Sequence, residues 1–151
     1  MYRITIQYTV DKALVPKTSL LRQWAKYALR KQVTSAEITI RIVDLEEIVY
    51  LNTTYRHKQG PTNVLSFPFS IPKNIKIAIP HLGDIIICAA IVNREATEQN
   101  KTMNAHWAHM IIHGIYHLLG FDHQTKQHAK KMESQEIEIL QSLGFTNPYK
   151  L

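Results

Sequence analysis

The segment from His109 to His123, HMIIHGIYHLLGFDH, restricts the fold of this chain more tightly than any other. Its apolar residues Ile111, Ile112, Leu118 and Leu119 call for a helix packed on a core. Gly120 lets the backbone reverse straight after that helix. His113 and His117 then stand one turn apart and project from the same face. Two imidazoles so placed reach one cation of zinc size from a rigid support, and His123, beyond the turn, can swing back as a third ligand. Three nitrogens leave a fourth tetrahedral position open, as in a catalytic zinc centre, whereas structural centres are normally closed by four protein ligands. A helical pair of histidines alone is more often a plain surface or core pair; the third histidine, just past a turn-forming glycine, is what points to a metal. His109 lies one turn earlier on the same face. It reads either as a group that orients a ligand or touches substrate, or as a buried, hydrogen-bonded histidine. His106 and His128 read as surface residues, and His57 and His81 as loop residues without a signal of their own.

The rest of the chain supplies a scaffold for that helix. Residues 2–9 alternate Tyr2, Ile4, Ile6 and Tyr8 with polar neighbours, which predicts a strand with one buried face. A helix follows Pro16, with Thr18 or Ser19 as cap and an apolar stripe through Leu21, Trp24, Ala25 and Ala28. Ile38, Ile40 and Ile42 mark a second strand, and Asp44 with Glu47 forms a capping pair for a short helix through Tyr55. Residues 56–61 read as a loop, 64–67 as a strand ended by Pro68 and therefore at a sheet edge, and 71–83 as another loop. The run Ile85-Ile86-Ile87-Cys88 predicts a strand covered on both faces. Helices are expected from Ala89 to about Gln99, from about Ala105 to Leu119, and from about Lys126 to Leu143 before Gly144. The pattern is an α+β single domain over residues 1–151, with a mixed sheet of about four strands packed with about five helices, including the zincin-like metal-binding helix.

Composition narrows the class. Lys and Arg number 18 against 12 Asp and Glu, a net charge of +6, which suits contact with phosphate but equally a solvated basic surface. The single cysteine, Cys88, cannot form an internal disulfide. The N-terminus lacks the basic-then-apolar pattern of a signal peptide and no apolar run is long enough for a membrane span, so a soluble, cytoplasmic protein is expected.

The three histidines and Gly120 match the spacing of the metzincin proteases, His-Glu-x-x-His-x-x-Gly-x-x-His. The catalytic Glu position, however, holds Gly114, and zinc peptide hydrolysis needs a carboxylate there or one supplied from elsewhere, such as Glu95 or Glu133. Met132 lies downstream, as the metzincin methionine does, but reads as a core residue. A different resemblance covers much more of the chain. HGIYHLLGFDH resembles the H-G-x-x-H-L-x-G-x-D-H signature of the YbeY family of bacterial endoribonucleases. Leu51-Asn52, Tyr55-Arg56, the stretch PTNVLSFP from Pro61 to Pro68, Leu82-Gly83-Asp84-Ile85, and Leu143-Gly144-Phe145 with Pro148-Tyr149 extend the likeness over about residues 40–150. Asn63 stands where the family usually has Asp, and Gln59 where an Asp is often found.

The resemblance implies one metal, usually Zn2+, on His113, His117 and His123, with other divalent transition metals also compatible with three imidazoles. It implies a functional role for Arg56, whose guanidinium could bind a phosphate oxygen; by sequence alone Arg56 reads as a surface residue at a helix C-terminus. Asp122 either orients a ligand histidine or shapes the turn. The implied activity is cleavage of single-stranded RNA in 16S rRNA 3′ end maturation and ribosome quality control, with rRNA, the small ribosomal subunit and its assembly factors as partners. Arg22, Lys26, Arg30 and Lys31 form a candidate basic face for RNA. Two other readings stand beside it: a zinc peptidase, disfavoured by Gly114, and a non-catalytic ribosome-assembly factor whose metal is structural, closed by a fourth ligand such as His109.

Overall fold

Period-two alternation decides which strand faces meet. In the computed structural model, which describes residues 1–70, 74 and 76–150, β1 (Tyr2–Tyr8) pairs in parallel with β2 (Ala36–Val43), and Ile4 and Ile6 stand beside Ile38 and Ile40. β4 (His81–Cys88) pairs in parallel on the other side of β2, with Ile85 and Ile87 beside Ile40 and Ile42. These isoleucines therefore share one face. β3 (Val64–Pro68) lies antiparallel to β4 at the sheet edge, so the order is β1-β2-β4-β3. Pro68 ends an edge strand, where its missing N–H breaks no ladder.

Parallel neighbours need crossovers, and helices supply them. α1 (Thr18–Arg30) joins β1 to β2 and packs Leu21, Trp24, Ala25, Ala28 and Leu29 into the main core. α2 (Leu45–Arg56) covers the opposite face, where Ile48 meets Leu65, Ile86 and Cys88 with Ile91 of α3 (Ala89–Glu98). The run from Ile85 to Cys88 is thus covered on both sides, as its continuous apolar character predicts. α4 (Met103–Leu118) runs across the isoleucine face and α5 (Lys126–Ser142) packs on α4. Among the described residues the outcome is an α+β fold with a four-stranded mixed sheet and five α-helices, to which a short 3₁₀ turn at Lys12–Leu14 is added.

Several boundaries differ from expectation for local reasons. Neither Thr18 nor Ser19 caps α1: the residue before the helix is Lys17, and the Thr18 hydroxyl is engaged 2.6 Å from the Tyr8 hydroxyl. Asp44 does cap α2 through the Glu47 N–H, but the Glu47 carboxylate turns to Arg41 instead of closing a reciprocal box. The expected loop at 71–83 gives way to strand from His81, and its residues 71–73 and 75 lie outside the described residues. Pairing jumps from Glu37–His81 to Ile38–Gly83, so Leu82 is an inserted bulge residue. Gly83, at φ +147°, follows it where a Cβ would lie 2.2 Å from the Phe67 carbonyl oxygen. Only glycine fits there.

Candidate metal centre

α4 is the buried axis of the molecule. Thr102 caps it by accepting from the Ala105 N–H, and Trp107, Ile111, Ile112, Ile115 and Tyr116 are fully enclosed. It packs tightly on the sheet at Gly114, where a Cβ would stand 2.9 Å from Ile85 Cγ2; the Ser66 hydroxyl donates to the Gly114 carbonyl oxygen at 3.0 Å. The position that holds a catalytic Glu in metzincins is therefore packed against β4 and offers no room for one.

The neighbouring face carries a row of imidazoles. His113 and His117 bring their Nε2 atoms to 3.1 Å from each other, and His123, after the Gly120 turn (φ +97°), folds back to a ring-centroid distance of 5.2 Å from His117. One nitrogen from each of the three lies within 4.8 Å of the others. Nitrogens sharing a tetrahedral zinc at about 2.0–2.1 Å lie about 3.3 Å apart, so the His113–His117 pair already has ligand spacing. Burial, followed by the proximity of His113 and His123, pushes His117 down to about 4, so its imidazole is neutral at pH 7 with a lone pair to give. His123 is exposed and His113 and His117 are half-buried, which leaves one side of the trio open. The donor set fits a divalent metal of the zinc type.

Behind the trio sits a residue that sequence reasoning missed. Glu136 of α5 is completely buried, and its Oε1 lies 2.8 Å from His109 Nε2, 3.1 Å from His113 Nδ1 and 3.0 Å from the Tyr149 hydroxyl. Burial alone raises a carboxyl; the hydrogen bonds from His109 and His113 outweigh it and bring Glu136 down to about 2. The carboxylate hydrogen-bonded to the trio, at His113, is thus Glu136 and neither Glu95 nor Glu133. It meets the His113 edge opposite Nε2, so it takes no place on the open side. His109 is buried and hydrogen-bonded to Glu136 and Tyr149. The one signal for Glu136 is its register: Met132, Glu136, Ile139 and Leu140 form the buried stripe of α5, and a carboxylate in such a stripe demands partners.

Other expectations are corrected. His106 is not at the surface: it is buried, with Nε2 2.9 Å from Glu95 Oε1. The Asn63 amide donates to the same carboxylate, which an Asp at that position could not do. His81 is the first residue of β4, between Glu37 and Asp84. His128 is exposed as expected, and Met132 fills the core. Asp122 accepts from the Gln124 N–H and meets His128, so its contacts shape the turn and none reaches His123. Arg56 ends α2, exposed, with its guanidinium donating to the Ser66 carbonyl oxygen and lying 5.2 Å over the Phe67 ring. None of its hydrogen bonds reaches the histidines.

Burial lowers the His106 pKa, partly opposed by the hydrogen bond to Glu95. The unfolded chain, with an ordinary value near 6.5, then takes up this proton first, and the folded state loses stability as pH falls from the unfolded value toward the folded one. His106→Gln keeps a donor for Glu95 and removes the titration. Urea unfolding across pH 7 to 5 is expected to show a shallower loss in this variant; parallel curves would exclude the effect.

The YbeY family model, described as that of endoribonuclease YbeY, matches residues 6–144 of this chain. The chain belongs to the YbeY family. It is 51% identical over 147 residues to an endoribonuclease YbeY from Nitrosococcus oceani, with 97% of this chain and 96% of that protein covered. A Thermotoga maritima protein solved in solution is similar over 100% of both chains, at 25% identity and a TM-score of 0.59. The three histidines, Gly120 and the stretch from Pro61 to Pro68 lie inside the matched region. Among the described residues, no helix is long and apolar enough to cross a membrane.

Proposed function

We propose that residues 1–151 act as one domain, a metal-dependent endoribonuclease that cuts single-stranded RNA in 16S rRNA 3′ end maturation and ribosome quality control, in the cytoplasm and with the small ribosomal subunit and its assembly factors as partners. The observation that carries this reading is the trio His113, His117 and His123, with ligand spacing and an open side, in a chain 51% identical to a YbeY endoribonuclease over 97% of its length. The three would hold one divalent ion, most simply zinc, which when bound polarises a phosphoryl oxygen and offsets the charge that develops on it. Arg56 would bind a non-bridging phosphate oxygen with the N–H groups that Ser66 does not use. Its stacking on Phe67 and bond to the β3 backbone hold the guanidinium in place.

The surroundings suit a polyanion. A cavity of about 320 Å³ beside the His123 turn is lined by Gly120, Phe121, Asp122, His128 and Lys131, with Lys131 Nζ 5.8 Å over the Phe121 ring. The larger groove lies elsewhere, on α1, where Arg22, Lys26 and Arg30 line about 490 Å³ with Ser19, Gln23 and Tyr27. It serves as a contact for the RNA backbone, not as the reaction site, because it contains no metal ligand.

The decisive assay uses a labelled single-stranded 16S 3′ fragment, the same fragment in duplex form, and a peptide mixture. Cleavage of the single strand alone, abolished by chelation and restored by zinc, is the expected result. Peptide cleavage without RNA cleavage would replace the nuclease with a peptidase. A 2′-deoxy nucleotide at the cut site separates the routes: loss of cutting identifies attack by the neighbouring 2′-hydroxyl, and unchanged cutting identifies attack by water.

A further inference from the structure

Glu136 is a buried anion whose ion-pairing partners, among the described residues, are histidines alone. A carboxylate in a low-dielectric interior is costly compared with an apolar residue of similar size, even when it is hydrogen-bonded. Its hydrogen bonding is also lopsided. Oε1 gathers His109, His113 and Tyr149, while Oε2 has no partner among the described residues. Packing alone would be served better by Leu or Met. The geometry instead concentrates negative charge on one edge of the His113 ring, with the other edge facing His117 Nε2 at 3.1 Å.

A neutral imidazole carries one proton, and whichever nitrogen lacks it is the one free to ligate. An acceptor at His113 Nδ1 holds the proton there and leaves Nε2 with a lone pair aimed at the space shared with His117. Tyr149 belongs to the segment after α5, far along the chain from His113. Its hydroxyl donates to the same Oε1, and the segment is tied down by Lys101 Nζ donating to the Pro148 carbonyl oxygen at 3.2 Å. A phenol that holds one carboxylate oxygen fixes its rotation, and so fixes the direction from which it meets His113.

We infer that Glu136 is a positioning residue that selects the metal-binding tautomer of His113, and that Tyr149 locks it, so the C-terminal segment takes part in metal affinity. This rests on the reading of His113 as a ligand. The charge of Glu136 also complements a cation on the far side of the ring, which gives its burial a function.

The test is zinc affinity of the full-length protein by competition with a chromophoric chelator, together with ¹⁵N chemical shifts of the His113 ring in the metal-free state. Wild type is expected to bind zinc and to show His113 protonated at Nδ1. Glu136→Gln, whose amide can present either an acceptor or a donor, is expected to bind zinc about 10–100-fold more weakly and to show a mixed His113 tautomer. Glu136→Asp is expected to recover part of both, and Tyr149→Phe to weaken binding about 2–10-fold, the value of one hydrogen bond. A merely structural role would lower thermal stability without moving the tautomer. Wild-type affinity in a folded Glu136→Gln variant, or His113 protonated at Nε2 in wild type, would overturn the inference. If Glu136→Gln does not fold, Tyr149→Phe decides, weaker binding supporting the inference and wild-type affinity overturning it. Wild-type protein that takes up no zinc would overturn the underlying ligand reading as well, so the two failures are distinguishable.

Discussion

Alanine in place of His117 is expected to remove the metal and to lower RNA cleavage by about 10³-fold or more, because the several kcal/mol of charge stabilisation that a bound metal supplies is lost and each 1.36 kcal/mol is tenfold in rate. His117 is the middle of the trio, close to both His113 and His123, so its removal leaves two nitrogens whose ring centroids are 5.9 Å apart. Arg56→Ala is expected to differ in kind. Metal stays at the wild-type level, while cleavage falls about 10²–10³-fold, the usual cost of one missing donor at a developing oxyanion. Arg56 donates to the Ser66 carbonyl oxygen and lies over Phe67, and none of its hydrogen bonds goes to the three histidines, so metal binding is expected to survive its loss. Metal content by elemental analysis, read beside cleavage of the single-stranded fragment, checks both. Full cleavage by metal-free, nuclease-free protein would end the metal-dependent reading. A folded, metal-loaded wild type inert on RNA and peptide would favour a structural metal in an assembly factor.

Gly83→Ala is the second large effect expected, and it is one of stability. The new Cβ would meet the Phe67 carbonyl oxygen at 2.2 Å, Pro68 Cα at 2.9 Å and Leu118 Cδ2 at 2.9 Å. Two of these three are backbone atoms, which cannot rotate aside, so β3 would have to leave β4 or the bulge would have to unwind. A cost of at least about 3 kcal/mol is expected, at the upper end for overpacking, or roughly 6–12 °C in Tm for a domain of this size. Gly114→Ala offers the control. Its Cβ meets only side-chain atoms of the buried Ile85, Cγ2 at 2.9 Å, which must give by a few tenths of an ångström, and a smaller loss of about 1–2 kcal/mol is expected. Thermal unfolding of the two variants side by side tests the ranking. Equal losses would show that backbone contact at Gly83 is not the limiting contact.

Local rules made the ladder of elements legible. Ile38, Ile40 and Ile42 announce their strand, Ile85 to Cys88 announces burial on two faces, and the stops at Gly120 and Gly144 fall where helix-ending glycines are expected. Failures came where a side chain that usually serves its own segment was claimed by a distant one. Thr18 would cap α1 but bonds Tyr8, and Glu47 would close its cap but pairs with Arg41. His106 reads as a surface residue in the sequence, yet it is buried with Glu95 of α3 as its partner. His81 looked like loop because prolines precede it, and pairing with β2 overrides them.

The metal trio belongs to the class of features a sequence can carry alone. Helical spacing, a turn-permitting glycine and a third histidine are local, and local spacing on a rigid helix fixes distance. Arg56 and Asp122 could be named by resemblance, while their contacts with Ser66, Phe67, Gln124 and His128 needed the fold. Glu136 and Tyr149 lay beyond reach for a simple reason. Glu136 is separated from His113 by a turn and part of a helix, Tyr149 by a turn and a whole helix, and one residue more or fewer in α5 ahead of Glu136 would rotate the carboxylate by about 100°. The chain states that a metal can be held between His113, His117 and His123. Which nitrogen of His113 is offered to it, and what anion stands behind that ring, depends on how α5 and the C-terminal segment pack on α4, because buried charge finds its partners in space and not along the chain.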